Sequence, residues 1–243
     1  VTAYVSITEK ILATPSKLAQ RIRQRGLADA VGWCFYQAQW RWRESRLGVQ
    51  TSEFAHQVIV EDDGNHHGYE PIDYRCFDKV LEYFQPIGCQ DGFLDYGCGM
   101  GRAVILAAMH PYGRVMGVEL DAKLVQLANE QIGRVRDRGR IRAGAVEILQ
   151  ADATAFELPA EVNHVFLFNS FVGDVLEATL EQVRRSLELH PRRLKLVYTQ
   201  PIGDDDPLSR IDWLRLDREL STGYWMHVRS RAYTNVAYEP GSK

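Results

Sequence analysis

From residue 72 onward, apolar positions alternate between two patterns along the chain. Four stretches (72–84, 102–109, 122–136 and 173–190) carry them at helical spacing, and five short runs (92–96, 114–119, 146–150, 164–169 and 194–200) are nearly continuous. Short apolar runs separated by amphipathic helices predict parallel strands covered on both faces. The end of the chain breaks this rhythm, because 211–220 and 224–232 flank Ser221-Thr222-Gly223, a hairpin signal. The fold class expected is therefore α/β: a doubly wound, seven-stranded, mostly parallel sheet closed by an antiparallel hairpin.

The first 68 residues follow another pattern. Residues 8–25 predict a basic helix with an apolar stripe of Ile11, Leu12, Leu18, Ala19 and Ile22, capped by Thr8. A second helix over 28–44 carries Trp33, Phe35, Tyr36, Trp40 and Trp42 on several faces. Two short helices cannot bury all five rings between themselves, so they are expected to dock on the rest of the chain. From 47 to 70 periodicity is lost and Gly, Asp, Asn and His accumulate, as in a loop or hinge. The organisation expected is a helical cover with its hinge over 1–68 and a compact domain over 69–243.

Composition narrows the setting. With 45% hydrophobic and 25% charged residues the chain is globular, and a net charge of -3 gives no global attraction to nucleic acid or anionic membrane. The charge is uneven: residues 1–50 hold eight bases and three acids, leaving 21 bases against 29 acids elsewhere. Four cysteines without a C-x-x-C pair signal neither a disulfide framework nor zinc, and a cytoplasmic location is expected. No run approaches the roughly 18 apolar residues of a membrane helix, so no membrane partner is expected. His66 and His67 beside Asp62 and Asp63 lack ligand spacing and read as a solvated loop, so no metal is expected. The arginines at 134, 136, 138, 140 and 142 fall at the edge of the sheet opposite the ligand face and read as a solvated loop paired with acids.

The chemistry is concentrated at strand ends. In FLDYGCGMGR (93–102) a buried strand delivers Asp95, and Gly97, Gly99 and Gly101 let the chain turn closely around a ligand before a helix begins. A dinucleotide fingerprint needs a third glycine where Arg102 stands, and a phosphate loop needs Gly-Lys-Ser/Thr. An acid in the turn suits a ligand with positive charge instead. Glu119 ends the second strand, where a carboxylate can take the two hydroxyls of a ribose; Asp152 follows the third strand and Asn169 the fourth. Open α/β sheets bind ligands at these strand ends. Cys98, inside the turn, reads as a small packing residue.

These residues make 69–243 resemble the class I S-adenosylmethionine-dependent methyltransferases, whose fold is Rossmann-like. LGVQT (47–51), GYEP (68–71), DYGCGMGR and Asn169-Ser170-Phe171 are similar to a bacterial group of mostly unassigned substrate, itself distantly similar to the non-SET protein lysine methyltransferases. The resemblance implies S-adenosyl-L-methionine as cofactor, with its ammonium and sulfonium. It implies that Asp95, Gly97, Gly99 and Gly101 frame the methionine portion, Glu119 the ribose, and Asp152 with Ala153 the adenine. Tyr69 is implied as a cover over the cofactor and Asn169 as an orienter of the acceptor. In that family the fourth-strand motif is often Asn-Pro-Phe or Asn-Pro-Pro-Tyr; Ser170 departs from it on the acceptor side. The expected activity is methyl transfer to a small molecule or protein side chain, with nucleic acid disfavoured by the acidic balance of 51–243. The alternative is a non-catalytic sensor that keeps the pocket.

Overall fold

A computed structural model of the chain describes residues 15–52, 71–168, 171–201, 206–220 and 228–236. Helices α1 (Pro15–Arg25), α2 (Leu27–Leu47) and α3 (Tyr74–Phe84) lead into β1 (Gly92–Tyr96). There follow α4 (Arg102–Ala108), β2 (Arg114–Glu119), α5 (Ala122–Asp137), β3 (Ala145–Gln150), β4 (Val162–Phe168), α6 (Gly173–Leu189) and β5 (Lys195–Pro201). A 3-10 turn at Pro207–Arg210 precedes β6 (Leu214–Leu220) and β7 (Val228–Asn235). The hairpin connection expected at 221–223, like the start of the first helix at 8–14, lies outside the described residues.

The seven strands form one sheet in the order β3-β2-β1-β4-β5-β7-β6. The first five run parallel, while β7 pairs antiparallel with both β5 and β6. All five residues of β1 are buried, as a central strand covered on both faces must be. Alternate residues feed two cores. Phe93 of β1 and Phe166 of β4 pack with Phe77 and Phe84 of α3 and with α4 and α5; Leu94, Tyr96, Val165 and Leu167 pack with Leu176, Leu180 and Val183 of α6. Strand order reverses between β1 and β4, so the carboxyl ends of these strands open onto the crevice where doubly wound sheets hold ligands.

Helix α2 docks on this body through one face. Trp40 and Leu47 join the core beside Tyr74 and Phe77, while Trp33 is buried against α1, where Arg21 lies over its ring and pairs with Asp29. Asp73 joins two elements: its Oδ1 accepts from the backbone N–H of Arg75 and Cys76 to cap α3, and its Oδ2 accepts from Tyr36 Oη and Trp40 Nε1 of α2. Docking of the helix does not enclose all five aromatic rings. Phe35 and Trp42 project from the opposite face into solvent.

A correction concerns the arginine run. Arg138, at the end of α5, donates to the carbonyls of Ser45 and Arg46 at 3.3 and 3.4 Å, and Arg134 donates to Gln50 Oε1 at 3.4 Å. A cation set against the negative end of a helix dipole is favourable, so Arg138 fastens α2 to α5, and among the described residues it pairs with no acid.

Candidate active site

The glycine turn is built by hydrogen bonds that fold the chain back over β2. The amides of Gly97 and Cys98 both donate to Val118 O, at 2.8 and 3.0 Å, and Gly101 N donates to Cys98 O at 2.8 Å. Gly97, Gly99 and Gly101 have φ of 69°, 53° and 76°, the left-handed region that a side chain disfavours. Cys98 tucks beneath the turn, where a Cβ added at Gly117 would fall 2.6 Å from its Sγ. Its thiol is pushed well up by burial, then by Asp95 and Glu119, and stays neutral. The reading of Cys98 as a packing residue holds, and Gly117 in β2 is the complementary gap that sequence reasoning missed.

Glu119 ends β2 and is half-buried. Its Oε2 accepts from Gly99 N at 2.8 Å, and its Oε1 from Leu120 N at 2.8 Å and Asp121 N at 3.0 Å. Burial raises its pKa and these three backbone bonds oppose the rise. The carboxylate thus holds the tip of the turn and keeps acceptor capacity on Oε2 for an incoming hydroxyl. Asp152 and Ala153 lie just beyond β3, which is in register with β2 through Gln150 and Glu119. Asp152 is exposed, with Oδ1 accepting from Thr154 N and Oγ1, while Ala153 is buried.

Asp95 differs from both. Only 4% exposed, it stands in β1 between Gly117 of β2 and Phe166 of β4, and among the described residues no donor reaches its carboxyl. Burial pushes its pKa well above the usual carboxylate range, and the neighbouring Glu119 adds to the rise. A buried acid without a partner is costly unless a ligand completes it. The structure therefore brings Asp95, Gly97, Gly99, Gly101 and Glu119 together at one turn, with Asp152 and Ala153 on the adjacent strand end. Tyr69 and Asn169, expected to cover the cofactor and orient the acceptor, lie outside the described residues, as does Ser170. Phe168, the last residue of β4, lies at the carboxyl edge of the sheet.

Arg102 is the residue sequence reasoning passed over. It opens α4 immediately after the turn and is 3% exposed. Its guanidinium donates to Thr51 Oγ1 (2.7 Å), Ile72 O (2.8 Å), Glu44 Oε1 (2.9 Å) and Ser52 Oγ (2.6 Å), and it lies 4.4 Å from the Trp40 ring centre and 4.6 Å from that of Tyr74. The start of the expected hinge, Thr51 and Ser52, is thus buried and pinned to the turn. One signal was available: a cation at the first position of a helix opposes the helix dipole and calls for an acidic partner elsewhere.

Residues 93–189, which include the turn and the ends of β1 to β4, match the family model of a methyltransferase domain. Among solved structures the chain is similar to an S-adenosylmethionine-dependent methyltransferase from Aquifex aeolicus, at 19% identity and a TM-score of 0.50, covering 66% of this chain and 89% of that one. It is also similar to a provisionally assigned methyltransferase of Escherichia coli (20% identity, TM-score 0.51, 68% and 87% covered). A third similar structure is precorrin 8W decarboxylase of Methanobacterium thermoautotrophicum (16% identity, TM-score 0.50, 69% and 93% covered). These likenesses show the fold, and the decarboxylase among them shows that the fold alone does not name a reaction. No protein of curated function matches the chain. The matched segment supplies the reaction class: residues 93–189 carry a methyltransferase domain, which supports S-adenosylmethionine as the cofactor.

Proposed function

We propose that the domain transfers the methyl group to a lone-pair acceptor on a small molecule or a protein side chain. The observation that supports the cofactor arrangement is the buried Asp95 beside a glycine turn, a carboxyl to which no described residue donates. Its carboxylate takes the cofactor's ammonium, with the backbone of Gly97, Gly99 and Gly101 passing close to the methionine portion. Glu119, braced by three amides, offers its remaining lone pair to the ribose. Asp152 and Ala153 face the adenine.

When bound, the cofactor supplies an already activated sulfonium methyl. The chain's own work is to align the acceptor opposite the departing sulfur, at roughly 3 Å from the methyl carbon, and to exclude water. Asn169 holds the acceptor through its side-chain carbonyl, and Tyr69, with the N-terminal 68 residues, closes over the pair. The acidic balance of 51–243 favours a small or protein acceptor over a polyanion.

The test is methyl-tritiated cofactor with fractionated lysate. Label in the protein or small-molecule fraction is expected, falling about a hundredfold in rate for Asn169→Ala with cofactor affinity within a few-fold of the parent. Label confined to nucleic acid would overturn the acceptor class. A cofactor that binds while no fraction is labelled would make the chain a sensor.

A further inference from the structure

The face of α2 that turns away from the body is apolar. Leu27, Val31, Phe35 and Trp42 are 65%, 59%, 62% and 58% exposed, and with Ala38 they fall within an arc of about 80° along 21 residues of helix. Ile22, near the end of α1, is a further exposed apolar side chain beside them in sequence. Single exposed apolar residues are ordinary, whereas a straight stripe of four large ones on one helix calls for a partner.

The borders of the stripe identify its chemistry. Arg41 lies on one side and Arg46 on the other, the latter 5.1 Å from the Trp42 ring centre, and Arg23 and Arg25 are exposed at the end next to Leu27. Residues 15–52 hold seven bases and two acids, and both acids are engaged, Asp29 by Arg21 and Glu44 by Arg102. A second copy would set arginine against arginine. Nucleic acid would meet Leu27 and Val31, which offer its phosphates and base edges nothing. A convex apolar ridge carrying Trp and Phe, with arginines on both flanks, matches a lipid interface whose phosphates lie on either side of a shallowly buried helix.

We infer that the α1–α2 hairpin binds anionic lipid surfaces, α2 lying in the interface plane with Leu27, Val31, Phe35 and Trp42 below the headgroups. A spanning segment is not involved, since among the described residues no helix is long and apolar enough to cross a membrane. The inference is independent of the acceptor proposed above.

The full chain should float with vesicles of equal phosphatidylglycerol and phosphatidylcholine at about 0.1 M salt, and bind pure phosphatidylcholine at least tenfold more weakly. Phe35→Ser with Trp42→Ser, and separately Arg41→Glu with Arg46→Glu, should each reduce binding to the anionic vesicles at least tenfold. All four side chains are on the solvent face, so thermal melting and cofactor affinity should be unchanged. No binding to the anionic vesicles would overturn the inference. So would binding that the Phe35/Trp42 pair does not weaken, since charge alone would then explain it. If the same pair dissolves a dimer or abolishes capture of a protein partner while vesicle binding is absent, the stripe belongs to that partner instead.

Discussion

Asp95 carries the sharpest pH expectation in the molecule. Its pKa is raised in the folded chain, so between the ordinary carboxylate value and the raised one the folded state holds a proton that the unfolded state has released. Its burial therefore costs stability as pH rises through that window. An ammonium beside it favours the anion, so cofactor binding should expel a proton, and affinity should strengthen with rising pH and weaken as pH falls below the raised pKa. Calorimetry in two buffers of different ionisation heat measures the proton directly. Asp95→Asn should abolish the release and flatten the pH dependence; an unchanged release would move the linkage to another group. At this scale Asp95, Glu119 and the glycines were legible because strand ends and turns are local patterns. Arg102 was not, because its partners at 44, 51, 52 and 72 become neighbours only on folding.

Among the elements, the bounds of β1 and β2 follow from their apolar runs, and α5 and α6 from their amphipathic spacing. Helix α2 was harder to read, because apolar residues on two faces leave its pattern without a single stripe. Docking consumed Trp40, α1 covered Trp33, and Phe35 and Trp42 were left outside. What ends α2 is a left-handed Gly48, φ 74°, whose amide donates to Glu44 O at 2.7 Å, while Val49 N donates to the same carbonyl at 3.0 Å. A Cβ at Gly48 would fall 2.0 Å from the Arg138 guanidinium. Gly48→Ala should thus cost about 1 to 2 kcal/mol from the backbone alone, and more where Arg138 cannot swing aside. Urea unfolding of Gly48→Ala with and without Arg138→Ala separates the two contributions. If Arg138→Ala is itself neutral and fails to lessen the cost of Gly48→Ala, the arginine is not fastening α2.

Considered as a whole, the chain joins its N-terminal helices to the methyltransferase domain through Asp73, Arg102, Gln131 and Arg138. A chain starting at Pro71 retains all seven strands and should fold. It should lose at least about 3 kcal/mol from the missing contacts of Trp40, Leu47 and Val49, lowering the melting point by roughly 6 to 12 °C, and should lose methyl transfer with it. Full activity in that chain would remove the N-terminal segment from the catalytic cycle. The same attachment has a consequence for synthesis. Helix α2 leaves the ribosome before the surface that receives it, and Arg138 follows Arg46 by 92 residues, roughly 5 to 20 seconds at ordinary elongation rates. Throughout that interval both its apolar faces are without their final contacts, so the nascent hairpin is the part of this protein most in need of a chaperone, or of a surface on which to wait.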